Sequence, residues 1–548
     1  MENTNLGGAS GVGAQVSQVY DAVVIGAGFG GLYQLYKLRE AGLKVVGLDG
    51  GTGVGGTWYW NRYPGARVDS PSHVYQYFFS EELNDAWDWS ERFPAQPETE
   101  RYLNFVADRF DLRKDIIFST KVLACVFDEE KSRWHLHIDN GSIIDAKYVI
   151  GCTGTLSTPL EHLFEGVESF RGDVLHTYHW PDQPVNFSGK RVGVIGTGAT
   201  GIQVVQTIAP QVAELKVFQR TPPYTIPMKN KKYNDEERAA FKARFQEIKT
   251  LTRNSFVGFD IDFTYGSYHD ASPEERLQVL EALWADGSLV IWAGSYSEVF
   301  TDDEVNKEVS EFVRGKMRER LKDPELIKKL VPSTYGFGTR RVPLDTGYLE
   351  TYLLPHVELI DIKSAPIERI VPTGVQTADG KTHELDVLIL ATGFDASTGA
   401  LSRIDIRGRD NQSLRDAWSE DLRTTLGLMV YQFPNLFMTT GPLSPGAALC
   451  NAPTCLQHQV EWITDCIMHV ETSQRRSVEP TQIQQDQWVE RCDELASASL
   501  LSKTRSWYTG SNVAGKSKRL LAFAGGAKVY REHIDAVAAE GYADFLIK

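Results

Sequence analysis

The chain has 548 residues, of which 42 % are hydrophobic and 24 % charged, the proportions of a folded protein with about two to four domains. Acidic residues outnumber basic ones 72 to 57, and the formal charge of −15 argues against nucleic acid or an anionic membrane as partner. No run approaches the ~18 apolar residues of a membrane-crossing helix, so a soluble multidomain enzyme is expected.

Residues 1–18 are rich in Gly, Ala, Ser and Gln and lack the charged and apolar regions of a secretory leader. They are expected to form a flexible tail. Order is expected from Tyr20, because Tyr20–Ile25 reads as a buried parallel strand. Gly26-Ala27-Gly28-Phe29-Gly30-Gly31 follows, then a helix to Glu40 with Leu32, Leu35, Tyr36 and Leu38 on one face. The next strand, from Val45, ends at Asp49. In such a G-x-G-x-x-G turn the glycines allow close backbone approach, and the free amides of the helix face a pyrophosphate. A carboxylate at Asp49 can accept from ribose hydroxyls. Gly26, Gly28, Phe29, Gly31 and Asp49 are the candidate residues of a first dinucleotide site.

The pattern recurs at Arg191–Ile195, Gly196-Thr197-Gly198-Ala199-Thr200-Gly201, a helix to about Ile208 and a strand Leu215–Gln219. Arg220, followed by Thr221, stands where an acid would sit for NAD. A guanidinium there suits a 2′-phosphate through charge-assisted bonds, which favours NADPH over NADH. Two dinucleotide sites suggest a flavin and a nicotinamide that exchange hydride. A disulfide reductase would need a redox cysteine pair soon after the first motif, yet no cysteine precedes Cys125. The six cysteines (125, 152, 450, 455, 466 and 492) form no C-x-x-C and have no zinc spacing. They are expected to be small buried hydrophobes in a reducing compartment, by default the cytoplasm.

From 231 to 334 the character changes to charged, amphipathic helices. Capping boxes are expected at Asn234 with Glu237, Ser272 with Glu275, and Thr301 with Glu304. Val305, Val309, Phe312, Val313, Met317 and Leu321 then make one apolar stripe. Strands return at Val357–Asp361 and Asp386–Leu390, the second running into Ala391-Thr392-Gly393.

Two further segments carry a resemblance. Phe170 to Pro181 matches F-x-G-x-x-x-H-T-x-x-W-P, and Gly55-Gly56-Thr57-Trp58 leads through Tyr63-Pro64-Gly65 to Asp69. On these motifs the chain resembles, from about Tyr20 to Lys548, the type I Baeyer–Villiger monooxygenases, class B flavoproteins such as the cyclohexanone, phenylacetone and steroid monooxygenases. The resemblance implies an α/β fold with two Rossmann-like dinucleotide-binding domains and a helical insertion. An FAD domain would comprise 19–152 and 390–548, and an NADP domain 153–230 and 335–389, with the insertion at 231–334. The implied activity is FAD- and NADPH-dependent conversion of ketones, cyclic or bulky ones first, to esters or lactones with O2. It would run through a C4a-peroxyflavin and a Criegee adduct. The alternative is an N- or S-oxygenating flavin monooxygenase.

The family's functional positions then fall on named residues. In Gly338-Thr339-Arg340-Arg341, Arg341 matches the essential arginine, whose fixed positive charge stabilises an anionic oxygen and the tetrahedral adduct. Asp69 should hold Arg341, and Arg340 should join Arg220 at the 2′-phosphate. Thr57, Trp58, Asp69 and Tyr75 would line the flavin. Thr197, Gly198, Ala199, Thr200, Gly201 and Thr221 would hold NADP, with Trp507 contacting it from the loop 507–516. Gly441 to Gly446 would border the substrate pocket, and His176 would lie in a segment coupling the domains. Two departures stand out: Asp49 replaces a glutamate, and Tyr352-Leu353-Leu354-Pro355-His356 lacks the Asn-Arg of relatives.

Overall fold

Two β-branched runs, each followed by a glycine turn and a helix, organise the chain. The computed structural model describes residues 16–548 apart from 162, 447 and 517. β1 (Val16–Ile25), α1 (Phe29–Glu40) and β2 (Val45–Leu48) form the first βαβ unit, with Val23 opposite Val46 and Ile25 opposite Leu48 in parallel register. A single turn, α2 (Thr57–Trp60), follows. β3 (Ile116–Ile117), β4 (Val122–Asp128), β5 (Arg133–Ile138) and β6 (Ile143–Gly151) extend that sheet, the last three as an antiparallel meander.

The chain then builds a second sheet from β7 (Asp173–His176), β8 (Arg191–Ile195), β9 (Glu214–Gln219), β10 (Val357–Asp361) and β11 (Val387–Leu390). Its order is β10-β9-β8-β11-β7, and every pairing is parallel. α3 (Ala199–Ile208) is the crossover helix after β8. β12 (Asp405–Arg407) and β13 (Leu436–Met438) return to the first sheet, completing the order β12-β4-β5-β6-β1-β2-β3 with β13 on β6. Each sheet is thus discontinuous in sequence.

Between β9 and β10 lie helices including α4 (Asp235–Ala243), α5 (Phe245–Asn254), α6 (Pro273–Asp286) and α7 (Asp303–Leu321). Asn234 and Ser272 complete the two expected capping boxes. On α7 the cap is Asp302 rather than Thr301, with Oδ1 accepting from the amides of Glu304 at 2.8 Å and Val305 at 3.2 Å. Thr301 lies in the preceding turn, and a carboxylate at the cap also meets the positive end of the helix. The α7 stripe is buried at every position except the half-buried Phe312, and packs with Trp292, Phe300 and Phe337. Of two further helices, α8 (Ala452–Thr472) covers α1, with Gln34 donating to Thr464 at 3.0 Å, and α9 (Gly526–Ala539) packs on α8, with Trp462 donating to the Ile534 carbonyl at 2.9 Å.

Two further expectations are corrected. β1 begins at Val16, so residues 16–18 belong to a strand paired with Ile143 and Ile144; the rest of the expected tail, 1–15, lies outside the described residues. All six cysteines are buried as expected, but Cys450 and Cys455 are joined as a disulfide with Cα atoms 6.3 Å apart. The chain turns into α8 between them and brings the two side chains together. Among the described residues no helix is long and apolar enough to cross a membrane, and no cluster of three His, Cys, Asp or Glu could hold a metal.

Candidate active site

The first glycine turn is a cradle that side chains would fill. Gly26 has φ +111°, and a Cβ there or at Gly31 would overlap the carbonyl of Cys152 or of Gly26 respectively. At Gly28 no side chain caps α1, which leaves first-turn amides for a ligand. Asp49 stands at the end of β2, its two oxygens accepting from the Ala27 and Gly51 amides at 2.7 Å each. Burial raises its pKa, and those two amides oppose the rise. The carboxylate therefore first fixes the turn, retaining lone pairs for a ribose.

Beside this cradle stand Phe29, Trp58 and Tyr75. Trp58 Nε1 donates to the Tyr75 hydroxyl at 3.1 Å, and the Phe29 and Tyr75 rings meet edge-on at 5.3 Å. Thr57 is exposed at the start of α2. The chain then passes Gly65, at φ +81°, where a Cβ would lie 2.5 Å from the Gln203 carbonyl of α3. Tyr63 donates to Gln203 Oε1 at 3.0 Å, and Gln203 Nε2 donates to the Arg67 carbonyl at 3.1 Å. The helix of the second cradle thereby sets the path of the segment that ends at Asp69.

Asp69 meets Arg341 across 272 residues. One carboxylate oxygen accepts from Nη2 at 2.5 Å and from Nε at 3.1 Å. Trp292 lies under the guanidinium, 5.8 Å from ring centre to Cζ. Burial disfavours the charge on Arg341, but Asp69 and Tyr508 outweigh it and hold its pKa above the ordinary value. The buried Tyr508 hydroxyl faces this guanidinium without a well-formed hydrogen bond. Burial pushes its pKa up to about 12, against the pull of Arg341.

The second cradle repeats the first. Gly196 has φ +110° against the Ala391 carbonyl, and Gly198, Ala199, Thr200 and Gly201 open α3. Thr197 donates to the Thr221 carbonyl at 3.3 Å. Arg220 is exposed at the end of β9 and lies close enough to repel Arg340. Arg340 stacks 4.4 Å over Tyr335, its Nε buried without a partner, and burial followed by Arg220 lowers its pKa. Two neighbouring cations with no carboxylate between them fit a doubly charged phosphate.

Trp507 and Tyr508 line a narrow cavity together with Gly441, Ser444, Ala448 and Leu521. The loop that carries them is pinned by Asn512 to the Phe394 carbonyl at 2.8 Å and by Lys516 to Asp395 at 2.5 Å. His176 accepts from the Tyr178 amide at 3.1 Å, and Tyr178 stacks on Trp60 at 5.4 Å, so this segment runs from the edge of the second sheet to α2. Tyr508 and Trp292 are the site residues that sequence reasoning missed. Tyr508 is adjacent to a residue it named; nothing local marks Trp292.

Comparison with known proteins agrees with this geometry. Residues 20–248 match the FMO-like family, flavin-binding monooxygenase-like. The chain is 54 % identical over 527 residues to the acetone monooxygenase (methyl acetate-forming) of Gordonia sp. strain TY-5, covering 96 % of this chain and 99 % of the relative. It is 40 % identical over 547 residues to a Baeyer-Villiger monooxygenase of Pseudooceanicola batsensis, covering 100 % and 98 %. The chain is a member of the Baeyer–Villiger monooxygenases. Within the family, a crystal structure of OTEMO in complex with FAD and NADP superposes with a TM-score of 0.93 at 39 % identity, over 96 % of this chain and 99 % of that one. Both glycine turns would be blocked by side chains, and the Arg220–Arg340 pair stands at the second.

Proposed function

We propose that this enzyme converts a small ketone to an ester or lactone: ketone, O2, NADPH and a proton give the ester, NADP+ and water. The observation that carries the reading is Arg341, clamped by Asp69 at the seam of the two sheets and next to a cavity. FAD bound in the first cradle and reduced by NADPH supplies the electrons that activate O2. Phe29, Thr57, Trp58, Tyr75 and Asp49 hold the flavin; Thr197 to Gly201, Thr221 and Trp507 hold the nicotinamide cofactor, with Arg220 and Arg340 on its 2′-phosphate. Arg341 stabilises negative charge where it develops on the reacting oxygens and the ketone oxygen, while Asp69 keeps the guanidinium aimed.

The proposed division is an FAD unit of 19–152 with 390–548, its first strand reaching back to Val16, an NADP unit of 153–230 with 335–389, and an insertion of 231–334. Cytoplasmic residence is part of the same proposal. Cyclic or bulky ketones were the expectation from the wider family, but the 54 % relative is named for acetone, so short-chain ketones come first.

The test is product analysis on purified FAD-loaded protein with NADPH, O2 and a panel of acetone, butanone, cyclopentanone, cyclohexanone, a tertiary amine and a sulfide. Ester equal to NADPH consumed, greatest with the short ketones, supports the proposal. Amine oxide as the main product, or hydrogen peroxide alone across the panel, overturns it.

A further inference from the structure

At the seam where α5 meets α8, a slot surrounds His458. It is narrow and open to solvent on one side, with Phe78, Lys249 and Arg253 in its wall. The imidazole is 3 % exposed, and neither ring nitrogen has a partner. A neutral imidazole still carries one N–H donor, and a buried donor without a partner is rare enough to imply an occupant.

The other groups around the slot decide its chemistry. Thr252 spends its hydroxyl on the Lys249 carbonyl at 3.0 Å and Thr454 on the Gly258 carbonyl at 3.1 Å. Gln457 donates one N–H to the Pro453 carbonyl at 2.9 Å and accepts from the Phe78 amide at 2.7 Å, leaving its second N–H free. Glu461 accepts from Tyr33 on one oxygen and from Arg253 on the other, both at 3.2 Å. The donors left free are the imidazole N–H, the second N–H of Gln457, the other N–H groups of Arg253, and the ammonium of Lys249, which makes no ion pair among the described residues. Arg531, bound to the Arg253 carbonyl at 3.2 Å, adds positive potential. Burial, then Arg253 and Arg531, hold His458 neutral well below its ordinary range, and no carboxylate counters them.

We propose that this slot is a binding site for one small inorganic anion of halide size, held by His458, Lys249 and Arg253. A water would satisfy the imidazole but leave Lys249 uncompensated, since Arg253 is already paired with Glu461 at 3.2 Å. A tetrahedral oxyanion would bring four oxygens into this narrow slot and set some of them against Phe78. A halide accepts from any direction and needs no more than these donors. Seated there, it joins α5 of the insertion to α8, whose Gln457 holds the chain next to the aromatic wall of the first cradle.

The experiment melts FAD-loaded enzyme in increasing sodium bromide, with ionic strength kept constant by sodium gluconate. A saturable rise in Tm is expected, with half-saturation moved about tenfold upward in Lys249→Gln, the loss of one charge-assisted contact. The saturable part should vanish in His458→Gln. Bromide-soaked crystals should show an anomalous peak at His458. A linear rise identical in wild type and Lys249→Gln overturns the proposal, and so does a crystal peak without a saturable rise, which means an adventitious ion only. Lys249 is half-buried at the mouth, so its variant decides the matter even if His458→Gln fails to fold.

Discussion

Arg341→Ala should separate flavin reduction from oxygen transfer. The side chain is 23 % exposed and meets Asp69 through two N–H donors, so its loss removes the fixed cation at this seam. A donor aimed at developing negative charge contributes roughly 3–4 kcal/mol to the barrier. Taking about 3 kcal/mol for a group with this exposure, and a tenfold change per ~1.4 kcal/mol, ester formation should fall roughly 150-fold. Asp69→Asn leaves an oxygen to accept from the guanidinium but removes the charge, which halves the strength of such a bond. A loss of about 1 kcal/mol, near fivefold, is expected there. Anaerobic stopped-flow gives the rate of flavin bleaching by NADPH, and oxygenated single turnover with ketone gives ester against hydrogen peroxide. Reduction should stay within about twofold of native while peroxide replaces ester. Arg341→Ala that still makes ester within about fivefold of native would refute the assigned role. Equal losses in both steps would place Arg341 in cofactor binding instead.

Removing either neighbouring cation, in Arg220→Ala or Arg340→Ala, should raise KM for NADPH about tenfold and leave NADH little changed; steady-state kinetics with both cofactors checks this, and equal effects on the two would exclude a 2′-phosphate contact. Tyr508→Phe removes the hydroxyl that faces Arg341 and the cavity, so KM for ketone should rise roughly threefold with flavin reduction unaltered. A changed reduction rate would move Tyr508 to the nicotinamide. His458 gives a pH prediction. Because burial and two arginines keep it neutral when folded, the unfolded chain alone takes up a proton as pH falls below the ordinary 6.5. Its contribution is complete above that pH and lost below it, by about 1.4 kcal/mol per unit. Urea titrations in halide-free buffer between pH 7 and 5 should show an acid limb that is shallower by that slope in His458→Gln; identical limbs would mean that His458 protonates in the fold.

Local chemistry was the legible part of the fold. Strand–glycine–helix units, the two capping boxes and the α7 stripe follow from turn sterics, side-chain reach and 3.6-residue periodicity, none of which needs a distant partner. The third cap moved by one residue because Thr301 and Asp302 can both serve, and the choice rests on where the preceding turn ends. β5, Arg-Trp-His-Leu-His-Ile, alternates polar and apolar residues and carries the period-two signal of a half-buried strand. The Cys450–Cys455 bond was not readable, since a spacing of five carries no redox or metal signature. Asp69 with Arg341 was legible only through the family resemblance, because no periodicity links residues 272 apart.

That separation is itself informative about how the site works. Asp69 lies on the stretch that follows the first cradle, and Arg341 on the stretch that leads from the helical region into β10 of the second sheet. The path to Asp69 is fixed by neither sheet alone: Gly65 lies against α3, and Tyr63 and Arg67 both bond to Gln203 of that helix. Any side chain at Gly65 would push this segment off α3, since its Cβ would collide with the Gln203 carbonyl and the Thr207 hydroxyl. The helix of the second cradle therefore positions the carboxylate that holds Arg341. A side chain at Gly65 would therefore reach the Asp69–Arg341 contact through the backbone of this segment, at neither glycine turn. Oxygen transfer should thus be more sensitive to substitution of Gly65 than cofactor binding is, which makes Gly65 a positioning residue for Arg341.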